Sequence, residues 1–123
     1  MNITNKNVLV VEDNEELMNV LVSSLEMLGY QCQQALDGAQ ALEKLREQQF
    51  DYVVCDYWMP HMNGMELFQK ASAEISTCPP FLFSTGGQSL TLIPPYPNGI
   101  LGIINKPYSV FELHEKLSES KAH

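Results

Sequence analysis

Basic side chains are scarce in this chain. Seven lysines and arginines stand against 15 acidic residues, a formal net charge of −8 with a pI near 4.6. Nucleic-acid binding needs clustered cations that displace counterions from phosphates, so this balance argues against a direct nucleic-acid partner. It argues equally against an anionic membrane surface. Long apolar runs are missing as well: none approaches the roughly 18 residues of a spanning helix, and the opening Met-Asn-Ile-Thr-Asn-Lys-Asn lacks the apolar region of a signal peptide. Cysteine is limited to Cys32, Cys55 and Cys78, an odd set without CxxC, which reads as reduced thiols in a cytoplasmic protein. His61, His114 and His123 are scattered without metal spacing, and no P-loop or GxSxG occurs.

What is present suits one domain, residues 1–123, with 45% hydrophobic residues for its core and no repeat or low-complexity stretch. Val8-Leu9-Val10-Val11 is a continuous apolar run, the pattern of a strand buried on both faces. After a polar turn, Leu17, Leu21, Leu25 and Leu28 mark one face of a helix that Gly29 ends. The plan then repeats. Cys32 to Leu36 predicts a weaker strand, and Ala39, Leu42 and Leu45 a second helix. Tyr52 to Cys55 predicts a third element of sheet that ends in Asp56, followed by a helix carrying Leu67, Phe68, Ala71 and Ile75 inward. Phe81 to Phe83 and Ile100 to Ile104 supply two more strands. A last helix starts near Ser109, its N-cap, with Val110, Leu113 and Leu117 inward.

Strands alternating with helices predict a parallel sheet with helices on both faces, joined by right-handed crossovers. Five strands fit a doubly wound, flavodoxin-like α/β fold of order 2-1-3-4-5. One stretch breaks the rhythm: residues 86–99 hold Gly86-Gly87, Asn98-Gly99 and prolines at 94, 95 and 97. Proline cannot occupy a regular helix interior, so the helix between the fourth and fifth strands is expected to be short or missing.

Ligands of such sheets bind beyond the carboxyl ends of the strands. Glu12 and Asp13 close the first strand, Asp56 the third, Ser84 and Thr85 the fourth, and Lys106 the fifth. Each alone reads as a cap, a turn or a solvated charge. Together they place three carboxylates at one mouth, where two charges about 5 Å apart repel by roughly 3 kcal/mol at an effective dielectric of 20. A hard divalent cation relieves that repulsion, and Mg²⁺ takes one or two carboxylates with water and phosphate oxygens. Three carboxylates, the Lys106 ammonium and Mg²⁺ sum to zero charge, a site prepared for an incoming phosphoryl dianion.

Four motifs carry a family resemblance: Val-Leu-Val-Val-Glu12-Asp13-Asn14, Asp56-Tyr-Trp-Met-Pro60-His-Met-Asn-Gly64, Phe-Ser-Thr85-Gly86 and Asn-Lys106-Pro107-Tyr. In that order they resemble the response-regulator receiver domains of two-component phosphorelays, over nearly the whole chain. The resemblance implies that Asp56 is the phosphoacceptor, attacking the phosphorus of a phosphohistidine on a histidine kinase or histidine phosphotransfer protein. It implies Asp13 as a direct Mg²⁺ ligand, Glu12 as its neighbour acting through water, and the backbone carbonyl of Trp58 as a further ligand. Thr85, favoured over Ser84 by the count of five from Pro80, and Lys106 would hold phosphoryl oxygens. Gly86 would be the small residue that admits the group, and Pro107 would follow a cis bond. A downstream protein partner would read the changed surface.

Departures from the family pattern sit on the output side. Three positions before Lys106, where an aromatic switch residue is frequent, stands Ile103. Trp58 places a large ring beside the site, where it shields an acyl phosphate or merely covers the loop. A receiver-like scaffold that binds partners unphosphorylated is the alternative function. An aspartyl-nucleophile hydrolase is disfavoured, because that chemistry carries a second acid two residues on, at the position of Trp58. The chain ends shortly after the last helix, which predicts no DNA-binding or catalytic output domain within it, either for a lone receiver or for one belonging to a longer protein.

Overall fold

The apolar runs become strands, and the sheet they form fixes where the polar strand ends meet. The computed structural model describes residues 5–86 and 92–119. Its strands are β1 (Asn7–Val11), β2 (Gln31–Ala35), β3 (Tyr52–Asp56), β4 (Phe81–Thr85) and β5 (Ile100–Asn105). All pair in parallel, in the predicted order β2-β1-β3-β4-β5. Every residue of β3 and β4 is buried, as continuous apolar runs require in the middle of a sheet covered on both sides. The edge strand β2 keeps Gln31, Gln33 and Gln34 exposed and starts one residue earlier than predicted.

Four helices cover the two faces: α1 (Glu15–Met27), α2 (Gly38–Glu47), α3 (Gly64–Glu74) and α4 (Val110–Glu119). The period of two sends Leu9, Val11, Val53, Cys55, Phe81 and Phe83 under α2 and α3. Val8, Val10, Tyr52, Val54, Leu82 and Ile104 face α1 and α4. Polar side chains start each helix. Asn14 accepts from the Leu17 amide at 3.0 Å and Asp37 from Gln40 at 2.8 Å. Asn63 with Glu66, and Ser109 with Glu112, make reciprocal capping boxes. Gly29 ends α1 at φ +95°, a conformation that costs glycine nothing.

Two helix faces are phased differently from the leucine pattern. In α1 the buried stripe is Met18, Leu21, Val22 and Leu25, while Leu17 and Leu28 are half-buried flanks. In α2 it is Ala41, Leu42 and Leu45, and Ala39 is exposed. In both, the stripe follows the i, i+3, i+4 spacing set by the cap, and small or flexible side chains fill it as well as leucine. Between β4 and β5 no helix occurs among the described residues, in accord with Pro94, Pro95 and Pro97; residues 87–91 of that stretch lie outside the described part. Leu92 and Tyr96 of this connection pack on the α2–α3 side of the core. Leu101 is one extra residue against β4, and Gly102 follows at φ +148° where the register shifts. Among the described residues no helix is long and apolar enough to cross a membrane.

Candidate functional site

Register alone brings the polar strand ends together. Val11 lies opposite Cys55, Asp56 opposite Ser84, and Thr85 opposite Asn105. On the α1–α4 face the positions after Val10, Val54, Leu82 and Ile104 are Glu12, Asp56, Ser84 and Lys106, so one row of polar residues continues one row of core. Asp13 stands next to that row in the turn before α1, and it is exposed. Glu12 is 2% and Asp56 7% accessible. Glu12, Asp13 and Asp56 each offer a carboxylate oxygen within 4.8 Å of the other two.

Lys106 spans the pair of buried acids. Its Nζ is 3.1 Å from Glu12 Oε1 and 3.5 Å from Asp56 Oδ1. Its amide donates to the Thr85 carbonyl at 2.8 Å, which ties the end of β5 to that of β4, and the Lys106–Pro107 peptide is cis, as the resemblance implied. The other Glu12 oxygen accepts from the Asn14 amide at 3.1 Å. Thr85 is 3% accessible, and Gly86 follows it beside Lys106. Among the described residues, a Cβ at Gly86 would meet Lys106 Cδ at 3.6 Å, an ordinary contact. Trp58, two residues after Asp56, is 39% accessible, its ring edge-on to Tyr57 at 4.9 Å, and its backbone acts to lower the pKa of Asp56.

Burial is the main influence on both hidden acids. It raises the pKa of Glu12 and of Asp56 above the usual carboxylate range. For Asp56 the nearby Lys106 offsets part of the rise, and Asp13 adds to it. For Glu12 the Asn14 amide and Lys106 offset part, and the Asp56 charge adds. The folded site thus binds protons more tightly than the unfolded chain between the ordinary and the raised values, so stability falls as pH rises through that window. Metal-free protein is expected to gain stability from this pair as pH falls from neutrality towards the ordinary carboxylate range. Urea midpoints across that range, with and without Mg²⁺, check it; a metal-free stability that climbs with pH would contradict the assignment.

The sequence singled out Glu12, Asp13, Asp56, Thr85 and Lys106, and the fold gathers all of them at one edge. It also brings Ser84 into the row with Glu12 and Asp56, and packs Tyr108 on the α1–α4 side of the core, lining the same groove as Lys106. In the sequence Ser84 is the less favoured alternative to Thr85, and the tyrosine figures only as part of the Lys106-Pro107 motif, with no role for either. The available signal was parity: Ser84 lies two residues after core Leu82, on the same face.

A family model described as the response regulator receiver domain matches residues 8–118. The chain belongs to the response-regulator receiver family. This receiver is 33% identical over 122 residues to the chemotaxis protein CheY-3 of Vibrio cholerae, covering 95% of this chain and 94% of that protein. It is 33% identical over 116 residues to the transcriptional regulatory protein ZraR of Klebsiella oxytoca, covering 94% of this chain but 26% of ZraR, so it spans about a quarter of that relative's length. Among solved structures, the receiver domain of the hybrid histidine kinase CckA superposes with a TM-score of 0.76 at 28% identity, over 92% of this chain and 96% of that one. Relatives thus include one of receiver length and one in which a receiver is a minor part, and two-component signalling is the setting of the family.

Proposed function

We propose that this receiver accepts a phosphoryl group on Asp56 from the phosphohistidine of a histidine kinase or histidine phosphotransfer protein in the cytoplasm, and that a downstream protein reads the change. The observation that supports this best is the buried pair Glu12 and Asp56 bridged by Lys106, with Asp13 within 4.8 Å. Three carboxylates against one ammonium leave an uncompensated negative charge in a largely dry site. An all-oxygen, carboxylate-rich donor set fits Mg²⁺ and suits softer transition metals poorly. Asp13 and Asp56 would hold the ion directly, with the Trp58 carbonyl, and Glu12 through water. Bound there, Mg²⁺ would neutralise the acids and the charge on the transferring group.

The chain's own residues then do the rest by position and charge. A carboxylate oxygen of Asp56 attacks phosphorus. A P–O bond forms as the P–N bond of phosphohistidine breaks, and the electron pair returns to the imidazole nitrogen. No general base is needed, because the nucleophile is already an anion. Lys106, paired with Glu12 and Asp56 beforehand, is free to turn to a phosphoryl oxygen, and Thr85 would hold another. The groove between α1 and α4, about 360 Å³ and lined by Leu17, Val20, Leu21, Tyr108 and Val110, opens beside Gly86 and Lys106. A protein donor that delivers its histidine to Asp56 would cover that apolar surface.

Incubation with acetyl phosphate and Mg²⁺ followed by intact mass is the direct test. A gain of one phosphoryl group that chelator prevents is the expected result. No adduct, where a control receiver reacts, would favour the unphosphorylated scaffold, for which Ile103 in place of an aromatic residue is the specific argument.

Trp58 bears on how long the phosphoryl group persists. Two residues after Asp56 and 39% exposed rather than buried in the core, its ring would limit water reaching the acyl phosphate. Trp58→Asn is expected to speed loss of the phosphoryl group by about threefold or more, ~0.7 kcal/mol of barrier. Decay of the phosphorylated mass after removing the donor measures it, and an unchanged or slower rate rejects a shielding role.

A further inference from the structure

Among the described residues, one buried side-chain polar atom has no hydrogen-bond partner: the Tyr108 hydroxyl. Its ring is half-buried against the α1–α4 cluster, which phenylalanine would fill equally well. The hydroxyl itself is sealed from solvent. Burial, then the charges of Glu12 and Asp56, push its pKa up to about 12, so it carries its proton at any physiological pH. Ser84, 1% accessible, lies close enough to ease that shift without completing a hydrogen bond. A buried donor left unpaired is costly, and its persistence calls for an acceptor in some other state of the site.

The acceptor follows from Lys106. In the structure Lys106 is the side-chain donor to Glu12 Oε1, at 3.1 Å, and the Asn14 amide serves the other oxygen. A phosphoryl group on Asp56 competes for the same ammonium. If Lys106 turns to it, Glu12, at 2% exposure, loses its direct ion-pair partner and keeps only the Asn14 amide and whatever water it shares with the metal. Tyr108 holds the spare donor on that face, packed on the cluster whose Val8–Val10 row Glu12 continues, and the Glu12 charge acts on its hydroxyl more strongly than that of Asp56.

We propose that Tyr108 is a positioning residue, whose hydroxyl donates to Glu12 when Lys106 leaves it for the phosphoryl group. In the free protein the hydroxyl waits unpaired. In the loaded protein it holds the Glu12 carboxylate in place beside the metal. Tyr108 touches neither phosphoryl group nor metal. The inference rests on the phosphoacceptor reading above.

The test compares wild type with Tyr108→Phe, using Trp58, the single tryptophan and two residues from Asp56, as the fluorescent reporter. Titration with Mg²⁺ alone is expected to give affinities within about twofold of each other, since Lys106 still serves Glu12. Titration with beryllofluoride in saturating Mg²⁺, a mimic of the phosphoryl group, is expected to be weaker in the variant by on the order of tenfold. Urea midpoints of the two metal-free proteins are expected to be equal or higher for the variant, which separates positioning from a structural role. The same substitution in a Glu12→Gln background should have little further effect on beryllofluoride affinity, because the two act as a unit. Equal beryllofluoride affinities, or full additivity with Glu12→Gln, overturn the inference and leave the phosphoacceptor reading intact. A wild type that binds neither Mg²⁺ nor beryllofluoride overturns both.

Discussion

Asp56→Asn is expected to abolish phosphoryl uptake and, in the same protein, to raise the stability of the metal-free fold. The first effect is complete because an amide is no nucleophile towards phosphorus at neutral pH: intact mass after acetyl phosphate and Mg²⁺ should show no adduct. The second follows from where Asp56 sits. Its carboxyl is 7% accessible, with oxygens of Glu12 and Asp13 within 4.8 Å, and one ammonium serves both buried acids. Each such pair repels by roughly 3 kcal/mol at an effective dielectric of 20, and the 3.5 Å contact with Lys106 returns part of that. Replacing the charge by a neutral group of equal size removes the repulsion, and Lys106 remains paired with Glu12. A net gain of about 1–2 kcal/mol is expected, a rise in Tm of roughly 4–8 °C for a domain of this size. Mg²⁺ should reverse the order, because only the wild type keeps the full ligand set and binding to the folded state stabilises it. A metal-free Asp56→Asn variant that melts below wild type would show that the Lys106 pair outweighs the crowding of acids. The site is thus built with stability given up at the point where charge is needed, as functional sites commonly are.

That trade explains why the site is so legible. Glu12 and Asp56 follow runs of buried apolar residues, and acids in that place have no structural use that a threonine or asparagine would not serve better. Strand order and register then follow from the alternation of strands and helices, and order puts those ends side by side. Residues whose role depends on long-range packing are harder to see. The inward stripe of α1 runs through Met18 and Val22, which the leucine pattern conceals, because burial depends on the angle at which α1 meets the sheet. Ala39 and Ala41 are indistinguishable as residues, and only the helix phase set by the Asp37 cap separates them. Tyr108 is the sharpest case. An aromatic residue after Lys106-Pro107 reads as core, and its ring packs against the core. The isolation of its hydroxyl depends on how the segment before α4 packs on the cluster shared by α1 and α4, which no local pattern encodes.

Phe83→Ala is expected to cost more than any other single change near the site, about 3–5 kcal/mol for deletion of a fully buried ring. Against a total of roughly 5–15 kcal/mol for a domain, that loss brings much of the population close to unfolding. The effect is also local to function. Phe83 is wholly inaccessible, stacks edge-on to Tyr57 at 5.3 Å and to Phe81 at 6.0 Å, and its ring is what limits residue 64 to glycine. A Cβ on Gly64 would lie 2.8 Å from Phe83 Cε1 and 3.2 Å from the Tyr57 Cα, while the Gly64 amide donates to the Tyr57 carbonyl at 2.8 Å. The ring, the glycine and that hydrogen bond together close the loop from Tyr57 to Asn63 onto the start of α3, directly after Asp56. Gly64→Ala alone should therefore destabilise by about 1–3 kcal/mol through overpacking. In a Phe83→Leu background, where the smaller side chain yields, its cost should fall by at least half, leaving the contact with the Tyr57 backbone. Denaturant unfolding of the four proteins gives the coupling. Additive losses would mean that the loop is set by its backbone alone, and that Phe83 stabilises the sheet without shaping the ground beside the phosphoacceptor.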